Sequence, residues 1–246
     1  MKTLREQLEN IGCNDIEEKI ALFEGYRKAI LEANKSINLT RITDPEEFEK
    51  RHFAESLIPC SDLVFQGAER IIDVGSGAGF PGVPIAIVFP DKEVVLLDSL
   101  AKRMDLVRGI CDDLGIDNVT CVHARAEEAA RDEEFRESFD ICISRAVAEL
   151  NVLSEYCLPF VREGGCFIAV KGKGFAEELE KAEKAIEVLG GETDHLVYEN
   201  GAAADPDSGG PMQGGDGGAS IYIMKKKATP DKYPRPAGKP SKKPIR

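Results

Sequence analysis

The stretch DVGSGAGFPGVP, Asp73 to Pro84, follows the apolar pair Ile71-Ile72 and carries four glycines and two prolines. A short apolar run entering such a turn reads as a strand that breaks sharply into a helix. Where Cβ atoms are missing, the backbone reaches φ values and ligand distances closed to other residues. The stretch therefore reads as a ligand cradle at a strand end.

Outward from it, strand-like runs recur at 70–74, 93–98, 119–123, 139–144, 165–170, 193–198 and 220–225, with helical stretches near 83–89, 100–114, 147–160 and 175–189. This alternation predicts an α/β, Rossmann-like domain with seven strands in a mostly parallel sheet. The last two strands are joined through GAAADPDSGGPMQGGDGG, within the Gly/Asp-rich 201–219 stretch, which reads as a long flexible loop. Strands joined by a loop alone pair antiparallel, so one antiparallel edge strand is expected. Upstream, residues 15–34 read as an amphipathic helix with Ile16, Ile20, Phe23, Ile30 and Leu31 near one face and Asn14 or Asp15 as cap. A second helix starts after Asp44-Pro45 and runs through Phe48 and Phe53 to Leu57. The expected division is a helical N-terminal cap at 1–62, a main domain at 63–227 and a basic, Pro-rich tail at 228–246.

Charge is distributed unevenly. Lys225 to Arg246 hold nine Lys/Arg and one Asp, about +8, so the preceding residues carry −20 of the net −12. Rich in proline and poor in apolar residues, the tail is expected to be extended or disordered unless a partner orders it, serving either solubility or phosphate tracking. Seven cysteines are scattered without C-x-x-C spacing, which argues against a zinc site and against a disulfide framework; Cys121 and Cys142 sit in apolar strand-like runs as small core residues. No run of 18 apolar residues occurs, and MKTLREQLEN has no apolar segment behind its lysine. A cytoplasmic protein with no membrane association is the expectation.

Ligands of doubly wound sheets sit at the carboxyl ends of strands, so the strand ends name the candidates. In the loop, Asp73, Gly75, Gly77 and Gly79 fit the acid-x-G-x-G-x-G of methyltransferases that use S-adenosylmethionine, while Gly77, Gly79 and Gly82 fit the G-x-G-x-x-G dinucleotide fingerprint. The loop alone does not choose between them. Asp98, some 20 residues on, is placed to accept hydrogen bonds from two ribose hydroxyls of either cofactor. After the third strand, Ala126 and Glu127 can offer an amide and an acceptor to an adenine edge. Arg145 ends the fourth strand, where it can fix a cofactor carboxylate, grip substrate phosphate or simply pair with a neighbouring helix. Lys102, Arg103, Arg125, Lys171 and Lys173 follow strand ends and are candidates for a basic rim that meets RNA, with Arg41 and Arg51 beside it. His52 is the one histidine near a helix start and other polar residues.

Eight ordered motifs carry a family resemblance: N-K-S-I-N-L-T (34–40), H-F-A-E-S-L (52–57), D-V-G-S-G-A-G-F-P-G (73–82), L-D-S-x-x-K-R (97–103), R-A-E (125–127), S-R-A-V-A (144–148), V-K-G (170–172) and Y-P-R-x-x-G-x-P (233–240). They resemble the RsmG/GidB family of bacterial 16S rRNA guanine-N7 methyltransferases over nearly the whole chain. The resemblance implies S-adenosyl-L-methionine as cofactor, contacts at Gly75, Phe80, Ala126, Glu127 and Arg145, Asp98 as the ribose acid, and 16S rRNA of the small ribosomal subunit, or its precursor, as partner; a monomer is expected, although sequence does not fix the oligomeric state. Two departures stand out: Glu55 where the family usually has Asp, and the Gly/Asp-rich 201–219 stretch in place of a shorter linker.

The residues also bear on the chemistry. Methylation of an exocyclic amine calls for a D/N-P-P-Y/F loop after the fourth strand, and SRAVAEL is not one; carbon methylation needs a positioned thiolate, and Cys121 and Cys60 lie elsewhere. Guanine nitrogen 7 carries a free lone pair at neutral pH, so its methylation rests on positioning, with Arg145 the candidate for that role. Two other functions remain at this level: an NAD(P)-dependent oxidoreductase using the second glycine register, and a non-catalytic sensor of adenosine nucleosides.

Overall fold

The computed structural model describes residues 1–199, 202–204 and 217–246. Most of the long loop expected at 201–219 thus lies outside the described residues. Helices α1 (Lys2–Asn10), α2 (Ile16–Asn34), α3 (Pro45–Phe48), a π-helical turn at Glu49–Ala54, α4 (Glu55–Leu57) and α5 (Leu63–Gln66) precede the sheet. The expected second helix begins at its proline, and the Asp44 side chain caps it by accepting from the Glu46 and Glu47 amides at 3.1 and 2.9 Å. Sequence periodicity gave no sign of α1, which is held by Leu4 and Leu8 in the core and by the Met1 amine, 2.8 Å from Glu49.

Strands β1 (Arg70–Val74), β2 (Glu93–Asp98), β3 (Val119–His123), β4 (Phe139–Arg145) and β5 (Val161–Lys171) alternate with α6 (Gly82–Val88), α7 (Ala101–Leu114), α8 (Ala126–Ala129) and α9 (Leu150–Cys157). Then follow α10 (Phe175–Val188), β6 (Gly191–Tyr198), β7 (Ala203–Ala204), β8 (Ala219–Lys225) and α11 (Lys239–Lys242). The sheet has eight strands in the order β3-β2-β1-β4-β5-β8-β6-β7, one more than the seven expected. The strand after the long loop, β8, does run antiparallel, but it lies between β5 and β6, leaving the two-residue β7 as the antiparallel edge. Consecutive β1 residues face opposite sides: Ile71 joins the core that contains Phe23, Phe53 and Val107, and Ile72 the core with Leu153, Phe167 and Ile221. Period-2 alternation thus gives one strand two cores, and the helical cap packs continuously with the first of them.

The tail is a correction. Residues 228–246, expected to be extended or disordered, are packed against the second core's side of the sheet. Lys225, fully buried, donates to Glu137 Oε1, the Leu158 and Val161 carbonyls and Thr229 Oγ1 at 2.8 to 3.0 Å. Arg235 pairs with buried Glu155 of α9, its backbone amide at 2.7 Å and its Nε at 2.9 Å from Oε1. Arg136 holds the Tyr233 and Thr229 carbonyls. Composition misleads here because the tail is ordered by pairs made across 80 and more residues of sequence, which no local window contains.

Candidate functional site

Strand order reverses between β1 and β4, and there, outside the carboxyl ends of β1 to β4, a cavity of about 300 Å³ opens. Gly75, Asp98 to Leu100, Arg103, Ala124 to Glu127, Ala146, Val147 and Tyr156 line it. Of the named cofactor candidates, Gly75, Asp98, Ala126 and Glu127 are wall residues. Arg103 and Arg125, named for RNA, are wall residues as well.

The glycines divide by what their missing Cβ atoms would meet. Gly77, at φ +58°, has open space where a side chain would be, and its amide donates to Asp98 Oδ2 at 3.0 Å. At Gly75, φ +77°, a Cβ would collide with Val147 on the cavity wall. Gly79 and Gly82 face inward instead: a Cβ at the first would strike the Tyr26 hydroxyl and Val83, at the second Leu96. Half of the glycine signal therefore serves the ligand side of the loop and half serves packing. Tyr26 reinforces this by donating to the Ala78 carbonyl at 2.8 Å, so a cap residue that periodicity did not single out fixes the loop from behind.

Two carboxylates border the loop. Asp98 ends β2 and also accepts from the Leu100 amide at 2.9 Å, with Arg103 3.8 Å away. Asp73 is fully buried; its Oδ2 accepts from the Gly82 amide at 2.8 Å, whereas its Oδ1 has no partner among the described residues. Burial pushes the Asp73 pKa up to about 7, against the pull of the Gly82 amide and of Arg145, with Asp98 pushing further upward. An orphaned buried carboxylate oxygen beside a glycine cradle is the kind of group a cationic ligand completes.

Arg145 and Phe80 lie on the cap side of the loop, away from this cavity's wall. The Arg145 guanidinium donates to the Arg51 carbonyl at 2.8 Å, reaches His52 Nδ1 at 3.5 Å and stands 5.9 Å over the Phe80 ring. Phe80 stacks on His52 with centroids 4.4 Å apart. Desolvation first, and Arg145 second, lower the His52 pKa to about 4, so the ring is neutral. With Nδ1 facing a cation, Nε2 carries the proton and donates to Thr40 Oγ1 at 2.7 Å. Asn34 in turn accepts from the Leu39 and Thr40 amides at 2.7 and 3.0 Å. The N-K-S-I-N-L-T, H-F-A-E-S-L, G-F-P-G and S-R-A segments thus form one connected cluster.

A second cavity, about 330 Å³, adjoins the first through Ala146, which lines both. Ala146 holds φ +57°, a left-handed conformation uncommon outside glycine and concentrated at functional sites. Arg51, Glu55, Arg145, Lys171, Glu178 and Glu199 border this second space. Lys171 is corrected here: rather than a free rim cation it is buried, paired with Glu178 and bonded to the Ala148 carbonyl at 2.7 Å. Lys102 and Lys173 are exposed.

Fold and cavity together are those of a Rossmann-like domain with its ligand site at the strand ends. The chain shares that fold with the O-methyltransferase from Bacillus cereus in complex with SAH, at TM-score 0.52 and 16% identity over 81% of this chain and 90% of that one. Cofactor-bound Rv0187 from MTB gives the same TM-score and identity over 86% and 91%. A family model described as rRNA small subunit methyltransferase G matches residues 19–203. Proteins named ribosomal RNA small subunit methyltransferase G from Clostridium tetani and Acetivibrio thermocellus are each 43% identical, over 96% and 99% of this chain and 97% and 96% of theirs. This chain belongs to the rRNA small subunit methyltransferase G family.

Proposed function

We propose that the chain transfers a methyl group from S-adenosylmethionine to nitrogen 7 of a guanosine in 16S rRNA, in the small ribosomal subunit or its precursor. The observation that carries the cofactor reading is Asp98: a carboxylate at the end of β2, fixed by the Gly77 amide and walled into the strand-end cavity. Asp98 is the acceptor for ribose hydroxyls, Gly75 and Gly77 let the backbone close on the ligand, Ala126 and Glu127 meet the adenine edge, and the unpartnered Asp73 Oδ1 suits a cationic end. When bound, S-adenosylmethionine supplies an electrophilic sulfonium methyl.

The second cavity supports a base site. Its border carries three carboxylates, Glu55 paired with Arg51 at 3.0 Å, Glu178 paired with Lys171, and Glu199, whose field favours a base that becomes cationic on methylation. Nitrogen 7 attacks through its own lone pair, so the protein's part is to hold two ligands in line across Ala146. Arg145, tied to the cap by the Arg51 carbonyl, keeps the two cavities in register rather than exchanging a proton.

The test is positional. 7-Methylguanosine is cationic, so borohydride and aniline cleave RNA at it; purified protein with S-adenosylmethionine and unmethylated small subunits is expected to create one such cleavage. Methyl groups found instead on an exocyclic amine or a carbon would refute the assignment.

A further inference from the structure

We propose that the C-terminal segment from Tyr233 to Lys242 sets the adenine selectivity of the strand-end cavity, with the Gly238 amide acting as the positioning group for Glu127. The inference rests on that cavity binding S-adenosylmethionine.

Glu127 is buried and lines the cavity at the start of α8. Its Oε1 accepts from the Gly238 amide at 2.9 Å, a contact made across 111 residues of sequence. Among the described residues Oε2 carries no hydrogen bond, so one oxygen is spent on holding the carboxylate and the other is left to accept. A fixed acceptor in a cavity wall welcomes an exocyclic amine and repels a carbonyl at the same place, which is the difference between adenine and hypoxanthine. A buried carboxylate without that tether would turn to other partners and lose the discrimination.

The tether is itself held firmly. Arg235 grips Glu155 of α9 through its backbone amide and guanidinium, Arg131 holds the Pro234 carbonyl, and Pro240 is buried. α9 also carries the wall residue Tyr156, and α11 packs against that helix. Gly238 has φ +76°, which an L side chain adopts only under strain, although nothing lies within 4 Å of where its Cβ would be. A change there alters backbone geometry without a clash.

The experiment compares S-adenosylhomocysteine with S-inosylhomocysteine by calorimetry on three full-domain proteins: wild type, Gly238→Ala, and a truncation lacking 237–246 that keeps the Arg235–Glu155 pair. Wild type is expected to favour the adenosyl compound by about tenfold or more, the size of one charge-assisted hydrogen bond. The truncation should bring the two affinities within about threefold, and Gly238→Ala should narrow the gap part way. A purely structural tail would weaken both compounds equally and keep their ratio, which overturns the proposal, as does a wild type that binds both alike. A wild type that binds neither defeats the cofactor reading itself. Should the truncation melt below the assay temperature, the ratio in Gly238→Ala decides.

Discussion

The cap and the C-terminal segment both lean on the same sheet, and they are held by opposite means. The cap docks through rings: Phe23, Phe48, Phe53 and Phe80 contact one another with centroids 4.8 to 6.1 Å apart, and His52 stacks on the last. The C-terminal segment docks through charge, with Arg235 on Glu155 and with Thr229 bonded to the Lys225–Glu137 pair at the end of β8, each pair having one member almost fully buried. Apolar docking is non-directional and loses stability in proportion to the area removed. A buried ion pair fails abruptly when one partner goes, because the other is left charged and dry. The two attachments should therefore break differently.

The largest effect is expected on the charged side. Arg235→Ala leaves Glu155 buried without its cation, which costs about 3–5 kcal/mol and lowers the melting temperature by roughly 10 °C. Pairing Arg235→Met with Glu155→Leu should recover most of the loss, since no charge is then stranded. A single substitution that melts within a degree or two of wild type would place the pair among exposed bridges and remove the contrast.

Next comes the loop that both attachments frame. Asp98→Asn keeps the shape but removes the charge, so S-adenosylmethionine affinity should fall by about 1.5–3 kcal/mol in calorimetry while the fold persists. Loss of a few tenths only would mean that Asp98 organises Gly77 and Leu100 without touching ribose.

The loop and Asp98 were legible in sequence because their constraint is local: positive φ at Gly75 and Gly77 and a carboxylate at a strand end appear within one window of residues. Phe80 is legible only through its motif and Arg145 through its place at a strand end, and the structure joins both to His52 on the cap side. Glu155 and Tyr26 gave no signal, since a carboxylate in a helix and a tyrosine on an apolar face acquire their roles only from Arg235 and Ala78, far away in the chain. The strand beyond the seven expected, β7, is two residues long, below what any periodicity can register. Charge composition failed at Lys171 for a related reason. It counts a lysine as solvated whether or not a carboxylate lies beside it.

On the cap side a pH scan sharpens the comparison. His52 is held neutral, with its pKa lowered to about 4 from near 6.5. A depressed folded value means that its contribution to stability is complete above pH 6.5 and is lost as pH falls toward 4. With allowance for partial exposure the loss is about 1–2 kcal/mol. His52→Gln should start from a lower melting temperature but lose less of it between pH 6.5 and 4.5. An identical slope in both proteins would show that protonation of this ring does not loosen the cap.

The smallest effect separates two lysines on either side of Gly172, at the end of β5. Lys171 is buried against Glu178, and Lys173 is exposed two residues on. If Lys173 meets an RNA phosphate, Lys173→Ala releases one fewer counterion, so the slope of log affinity for small-subunit RNA against log salt should fall by about one while the melting temperature stays put. Lys171→Ala should do the reverse, lowering the melting temperature through the stranded Glu178 with little change in the salt slope. Glu178 also accepts from the Leu150 amide at 3.0 Å, so the damage from Lys171→Ala should be smaller than from Arg235→Ala. An unchanged salt slope in Lys173→Ala would take that lysine off the RNA path and leave Arg51, Lys102 and the exposed lysines of α11 as the cations to test.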